Sequence, residues 1–179
     1  MRDALLIVNP TAGRGRGPRL APKVTERLAA LGYRAAPVLT TGPGDATRLA
    51  REAAGSGAEA VFALGGDGTL RETAAGLLGT DVPLGPLPGG TTNVLTLALG
   101  LPRGPLAAAE AVARAAPRWL DVGLCGTTPF LMMVSAGVDS AAVAALHPLG
   151  ARWFGRVGVA VRGLGIWWSY GYPPIEVTT

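Results

Sequence analysis

Ala60-Val61-Phe62-Ala63-Leu64-Gly65-Gly66-Asp67-Gly68-Thr69 decides the fold. The first five residues are an unbroken apolar run of strand length. A strand that is apolar on both sides is one covered on both faces, as in a parallel sheet layered with helices. The glycine-rich break follows at once, and a helical pattern runs from it to about residue 78. The break therefore sits between the carboxyl end of a buried strand and the start of a helix, the place where open α/β sheets bind ligands.

The same unit recurs on either side. Residues 4–8 form an apolar strand that stops at Asn9-Pro10, followed by a Gly- and Arg-rich loop and a helix over 19–31. Residues 34–39 read as a second strand, 40–44 as a loop and 45–54 as a helix. Residues 82–87 make a fourth strand broken by prolines, and Gly89-Gly90 leads into a helix over 92–99. This alternation predicts an α/β fold with a Rossmann-like parallel sheet and flanking helices. After Pro102 the character changes. A helix is expected over 106–115, then two antiparallel strands over 119–124 and 130–135 joined by a turn near Gly126. Residues 1–118 thus read as one α/β domain, and 119–179 as the start of an incomplete, β-rich second domain with a helical insertion. A helix over 141–146, a Gly-containing segment over 152–168 and a strand over 175–179 complete the pattern.

The chain has 179 residues, of which 49% are hydrophobic and 16% charged, which excludes a disordered chain. Its 27 Gly and 15 Pro fall mostly between apolar runs and mark tight connections. A lone cysteine, Cys125, excludes an internal disulfide and a Cys-based zinc site, and reads as a small apolar residue. The net charge is +4, and Lys23 is the only lysine among 16 basic residues. Such Arg richness fits anion or membrane-surface contact, or simply the composition that also raises Ala, Gly and Pro; the second reading is preferred. No run has the shape of a signal peptide or the length of a bilayer span. A cytoplasmic protein is expected, peripheral to a membrane if it meets one, with no nucleic-acid partner.

Four strand ends carry the chemistry. They hold Asn9-Pro10-Thr11-Ala12-Gly13, Thr40-Thr41-Gly42, Gly65-Gly66-Asp67-Gly68-Thr69 and Gly89-Gly90-Thr91-Thr92-Asn93. Glycine lets backbone N–H groups approach an anion, and a following helix adds unpaired N–H groups and partial positive charge. The ligand favoured is one that bears phosphate. A Walker A loop needs Gly-Lys-Ser/Thr, and Lys23 lies within a helical run. The protein-kinase strand lysine is missing for the same reason. The dinucleotide fingerprint fails as well, because Gly13, Gly15 and Gly17 are followed by Pro18. A nucleotide would be held mainly by backbone donors and Arg. Asp67 either organises a metal–water network or a hydroxyl, or caps the next helix. Thr69 and Glu72 have capping-box spacing.

Gly65-Gly66-Asp67-Gly68-Thr69, followed by Leu70 and Glu72, resembles the glycine-rich signature of the diacylglycerol kinase catalytic-domain family, which includes bacterial lipid kinases and sphingosine kinases. Asn9-Pro10 with Gly13 is similar to its first motif, and Thr40 with Gly44-Asp45-Ala46 to its threonine segment. Pro88-Gly89-Gly90-Thr91-Thr92-Asn93 resembles its Pro-x-Gly-Thr-x-Asn motif. Leu120-Asp121-Val122-Gly123 and residues 130–139 resemble the entry to its second domain. The motifs occur in order over nearly the whole chain.

The resemblance implies ATP-dependent phosphorylation of a lipid hydroxyl, in lipid metabolism and phospholipid biosynthesis. It places the nucleotide on Asn9, Pro10, Thr11, Gly13, Arg14, Thr40, Gly65, Gly66, Asp67, Gly68, Thr69, Glu72, Gly90, Thr91 and Asn93. Asp67 is implied in catalysis, and Asp67 and Asp121 in holding magnesium, an ion that few carboxylates plus phosphate oxygens hold. Two features depart from the family. Val94 stands where many members carry Asp. The downstream Asp-Gly-Glu motif implied as general base has no counterpart, since Asp-Gly occurs only at Asp67-Gly68. Such a base contributes about 10²- to 10⁴-fold. A nucleotide-binding module without transferase activity, or an NAD-kinase-like enzyme with a soluble acceptor, are the alternatives. Residues 175–179 and the Trp-rich segment are expected to leave an open sheet edge that pairs with another copy or another chain. Residues 152–172 suit a membrane-surface face or, preferably, a helix packed between domains. His147, beside Pro148, reads as structural or solvated.

Overall fold

The computed structural model describes residues 1–138, 140–141, 165 and 167–174. The chain divides into two compact units, Met1–Met132 and Met133–Thr179. In the first, strand β1 (Arg2–Val8) leads through a single 3-10 turn (Ala12–Arg14) into helix α1 (Gly17–Ala30). Strand β2 (Tyr33–Leu39), helix α2 (Asp45–Gly55), strand β3 (Ala60–Gly65), helix α3 (Asp67–Leu77) and strand β4 (Leu84–Pro88) follow. Then come helix α4 (Val94–Ala98), helix α5 (Pro105–Arg114) and the short strands β5 (Gly123–Cys125) and β6 (Thr128–Phe130). The four long strands are all parallel, in the order β2-β1-β3-β4.

Alternation along the strands sorts the core into two layers. Ala4, Leu6 and Val8 of β1 and Ala60, Phe62 and Leu64 of β3 share a buried cluster with Val24 and Leu28 of α1 and Ala108 and Ala109 of α5. Ile7 and Val61, offset by one residue, point the other way and meet Ala46 and Ala50 of α2 and Leu77 of α3. Every one of these strand positions is apolar because both faces are covered. The small residues of α2 let α3 come close. A Cβ on Gly76 would lie 2.8 Å from that of Ala50, and the Thr47 hydroxyl donates to the Glu72 carbonyl at 2.9 Å. The Phe62 and Tyr33 rings meet edge to face at 5.0 Å between centroids, with the Arg2 guanidinium over Tyr33.

Proline explains both sheet edges. Thr40 N–H bonds Val8 O, so by the two-residue period Ala35 and Pro37 face away from β1. Gly89 N–H bonds Gly65 O, so Leu84, Pro86 and Pro88 face away from β3. The missing proline donors thus fall on the open sides, where no ladder bond is lost and strand addition is discouraged.

Three local expectations change. Helix α4 begins at Val94 rather than 92, because Asn93 is left-handed at φ 52° and a helix cannot extend back through it. The antiparallel pair is three residues per strand instead of six. Gly126 turns it at φ 59°, Leu124 pairs with Pro129, and Gly123 leaves room for the Phe130 ring. Pro129 has no N–H to extend the ladder, and Trp119 and Leu120 stay exposed ahead of it. Cys125, read as a small apolar residue, is a free, exposed thiol at the end of β5. Residues 142–146 of the helix expected over 141–146, His147, most of the 152–172 segment and the strand over 175–179 lie outside the described residues. In the second unit Trp167 and Trp168 are both exposed and meet edge to face, 6.3 Å between ring centroids.

Candidate phosphate-binding crevice

From β1 the chain passes to β2 on one side and then crosses to β3 on the other. The loops leaving β1 and β3 diverge to opposite layers at this switch point, and a crevice opens between them. Asn9 spans it. Its Nδ2 donates to Thr69 Oγ1 at 2.9 Å, and its Oδ1 accepts from both N and Oγ1 of Thr11, also at 2.9 Å. Thr69 is buried, and its carbonyl accepts from the Thr73 hydroxyl at 2.8 Å.

Glycines bring three of the four strand ends into contact. Gly13 is left-handed at φ 54°, and a Cβ there would collide with the Gly89 carbonyl. A Cβ on Gly90 would lie 2.6 Å from the Gly66 Cα, and one on Gly89 would lie 2.9 Å from the Gly65 nitrogen. The loops after β1, β3 and β4 are therefore locked backbone to backbone. Thr40 is buried at the end of β2. Next to it, Asp45 accepts from Thr41 N at 2.9 Å and Thr41 Oγ1 at 3.0 Å, and pairs with Arg48. The Thr41 amide first, then the Arg48 guanidinium, hold the Asp45 carboxyl below the usual carboxylate range.

Asp67 is the first residue of α3, and Gly66 is its cap, with no side-chain bond to the α3 amides. Neither capping pattern foreseen from the sequence forms: Asp67 does not cap α3, and Thr69 lies inside the helix, bonded to Asn9, so no capping box with Glu72 exists. Asp67 Oδ1 instead accepts from the Leu95 amide at 3.0 Å, in the first turn of α4. The first-turn amides of α3 are left without a side-chain cap.

Asn93 closes its own turn, with Oδ1 accepting from Gly90 N at 2.8 Å and Nδ2 donating to Gly90 O at 3.0 Å. Both of its polar atoms serve the loop, while Thr91 stays exposed at the rim. Arg14 is exposed with φ 67°. Arg16, which sequence reasoning missed, donates from Nε to the Gly13 carbonyl at 3.1 Å and braces that loop. Pro10 is half-buried between Asn9 and Thr11, and Glu72 lies further along α3. Asp121 is exposed in the segment before β5. Among the described residues no three His, Cys, Asp or Glu side chains gather into a metal cluster. Asp67 has Oδ1 on the Leu95 amide and its second carboxylate oxygen to offer, a donor of the kind magnesium takes beside waters and phosphates.

The family model of the diacylglycerol kinase catalytic domain matches residues 3–125. The chain belongs to the diacylglycerol kinase catalytic-domain family. Within it, the chain is 37% identical over 140 residues to a diacylglycerol kinase of Bacillus subtilis, covering 76% of this chain and 46% of that protein. It is 34% identical over 175 residues to a YegS-like lipid kinase of Chromohalobacter salexigens, covering 94% and 54%. A crystal structure of a diacylglycerol kinase from Bacillus anthracis superposes with a TM-score of 0.65 at 34% identity, covering 73% of this chain and 46% of that one. This lipid-kinase family chain spans about half the length of the curated relatives it matches. No helix among its described residues is long and apolar enough to cross a membrane.

Proposed function

We propose that this chain is the nucleotide-binding part of an ATP- and magnesium-dependent lipid kinase that phosphorylates a lipid hydroxyl at the cytoplasmic surface of a membrane. The observation that carries it is the uncapped start of α3, set beside the Asn9–Thr69 bridge at the sheet's switch point. Phosphate oxygens would accept from the first-turn amides of α3, where the helix dipole favours negative charge. Gly13, Gly89 and Gly90 hold the flanking loops around them, with Arg14 at the rim adding charge where other phosphate sites use lysine. Asp67 would carry the metal's water shell, with Asp121 the second carboxylate. Magnesium, when bound, would supply neutralisation of the phosphate charge. The protein's own part is to position the terminal phosphate and to keep the turn fixed, which is where most of the catalysis of phosphoryl transfer lies.

Titration calorimetry with ATP, with and without magnesium, tests the nucleotide site. Transfer of labelled phosphate from ATP to a panel of diacylglycerol, sphingoid base and other neutral lipids tests the reaction, with Asp67→Ala as the control. Heat on ATP addition and labelled lipid that Asp67→Ala abolishes support the proposal. ATP binding with no labelled lipid favours a nucleotide-binding module without transferase activity, and a flat titration refutes both.

A further inference from the structure

A groove of about 650 Å³ runs along the open side of β4, bounded by the ends of α4 and α5 and by the segment that follows α5. Leu84, Leu95, Leu99, Val112, Trp119 and Leu120 line it, and Arg118 is its one charged residue among the described residues. Leu99, Trp119 and Leu120 are exposed, Trp119 at 87%. The volume is that of a small-molecule site.

The floor restricts the occupant. The outward positions of β4 are Leu84, Pro86 and Pro88, so this edge offers carbonyls and a single N–H. A peptide strand laid along it would leave most of its own carbonyls unbonded. A hydrocarbon chain requires no hydrogen bonds. The groove also meets the phosphate crevice at one residue. Leu95 lines the groove with its side chain, and its amide donates to Asp67 Oδ1 at 3.0 Å.

We propose that this groove takes one acyl chain of the lipid acceptor, with Arg118 donating to the ester carbonyl or headgroup at the chain's polar end. The inference rests on the lipid-kinase reading and adds to it a tail subsite within the α/β unit. Apolar walls select for chain length, and Leu95 ties tail occupancy to the turn that holds the phosphates.

The test is titration calorimetry of the full chain with octanoyl, decanoyl and dodecanoyl glycerol below micelle formation, on the native protein and on Leu99→Gln and Leu120→Gln. Both substitutions are at exposed positions, and thermal melts of the two variants check that the fold is kept. Affinity is expected to rise about fourfold per methylene, and either variant to weaken dodecanoyl glycerol about tenfold while ATP binding stays unchanged. Binding that ignores chain length, or that neither variant alters, overturns the proposal. So does sedimentation of the native chain as a dimer that Leu120→Gln splits, since the occupant is then a second copy. ATP titrations on the same samples separate the two claims. ATP binding without acyl-chain binding removes the groove and leaves the kinase reading standing; acyl-chain binding without ATP binding does the reverse.

Discussion

Replacing Asp67 by alanine and, separately, by asparagine divides its two roles. The carboxylate holds the Leu95 amide at the start of a helix of only five residues. A hydrogen bond to a charged group contributes about 1.5–3 kcal/mol, and a helix cap about 0.5–2 kcal/mol. Asp67 is half-buried, so alanine should cost about 1.5 kcal/mol of stability. Asparagine keeps an oxygen on Leu95 and loses only the charge at the helix start, about 0.3–1 kcal/mol. For a domain of this size 1 kcal/mol moves the Tm by roughly 2–4 °C. Alanine should therefore melt about 3–6 °C below the native protein, and asparagine about 1–4 °C below it. Nucleotide binding should sort the variants differently. With magnesium, both lose affinity together, because both lack the carboxylate that holds the ion's water shell. Without magnesium, both bind ATP more tightly than the native protein, because a negative charge beside the phosphates is gone. Thermal melts and paired titrations measure this. Equal melting of the alanine and asparagine variants would refute the capping role, and unchanged magnesium dependence would refute the metal role.

Gly13→Ala puts a methyl group into the Gly89 carbonyl at a left-handed φ; about 1–2 kcal/mol of backbone strain and about 1–3 kcal/mol of overpacking should show as a clear drop in urea midpoint, and a native-like midpoint contradicts the loop packing. Asn9→Ala removes the bond across the crevice and both bonds to Thr11, so it should cost about 1–3 kcal/mol and weaken ATP binding; full retention of both properties would show that the bridge is idle. Asp45, held low by the Thr41 amide and Arg48, and Asp3, held low by Arg34, have folded pKa values below their unfolded ones. Their contribution is complete above about pH 3.9 and is lost as the pH falls through the lower folded values. Amide exchange in residues 40–45 should stay slow down to that range, and loosening that begins above about pH 5 would contradict the assignment.

The strands and helices were legible because burial on both faces writes a short apolar run that no exposed strand would tolerate. The four strand ends were legible because glycine clusters interrupt those runs. What could not be read were the partners. Asn9 and Thr69 are 60 residues apart and Asp67 and Leu95 are 28 apart, and only the β2-β1-β3-β4 order brings them together. Thr69 and Glu72 had the spacing of a capping box, but Gly66 already caps α3 and Asn9 already holds Thr69. The hairpin was overlong in the sequence reading because its flanks, residues 119–122 and 131–135, are mostly apolar without being paired. Their apolarity has other uses: Leu131 packs beside Leu70 and Leu95, and Trp119 and Leu120 line the β4 groove.

Glycines at a phosphate site have two physical causes, and the structure separates them. At Gly13, Gly65, Gly89 and Gly90 a Cβ would strike the protein itself, so packing alone demands glycine there, with or without a ligand. Gly68 is different. A Cβ at that position meets nothing within 4 Å, its φ lies outside the left-handed range, and it stands exposed in the first turn of α3. The folded chain has no use for glycine at this point, where alanine would be better by about 0.5–1 kcal/mol. A phosphate lying against the uncapped amides would need the space. Gly68→Ala should therefore raise the Tm by about 1–4 °C and weaken ATP binding at the same time. A variant that is more stable and binds ATP as well as the native protein would mean that the phosphates lie elsewhere, and the start of α3 would lose its role.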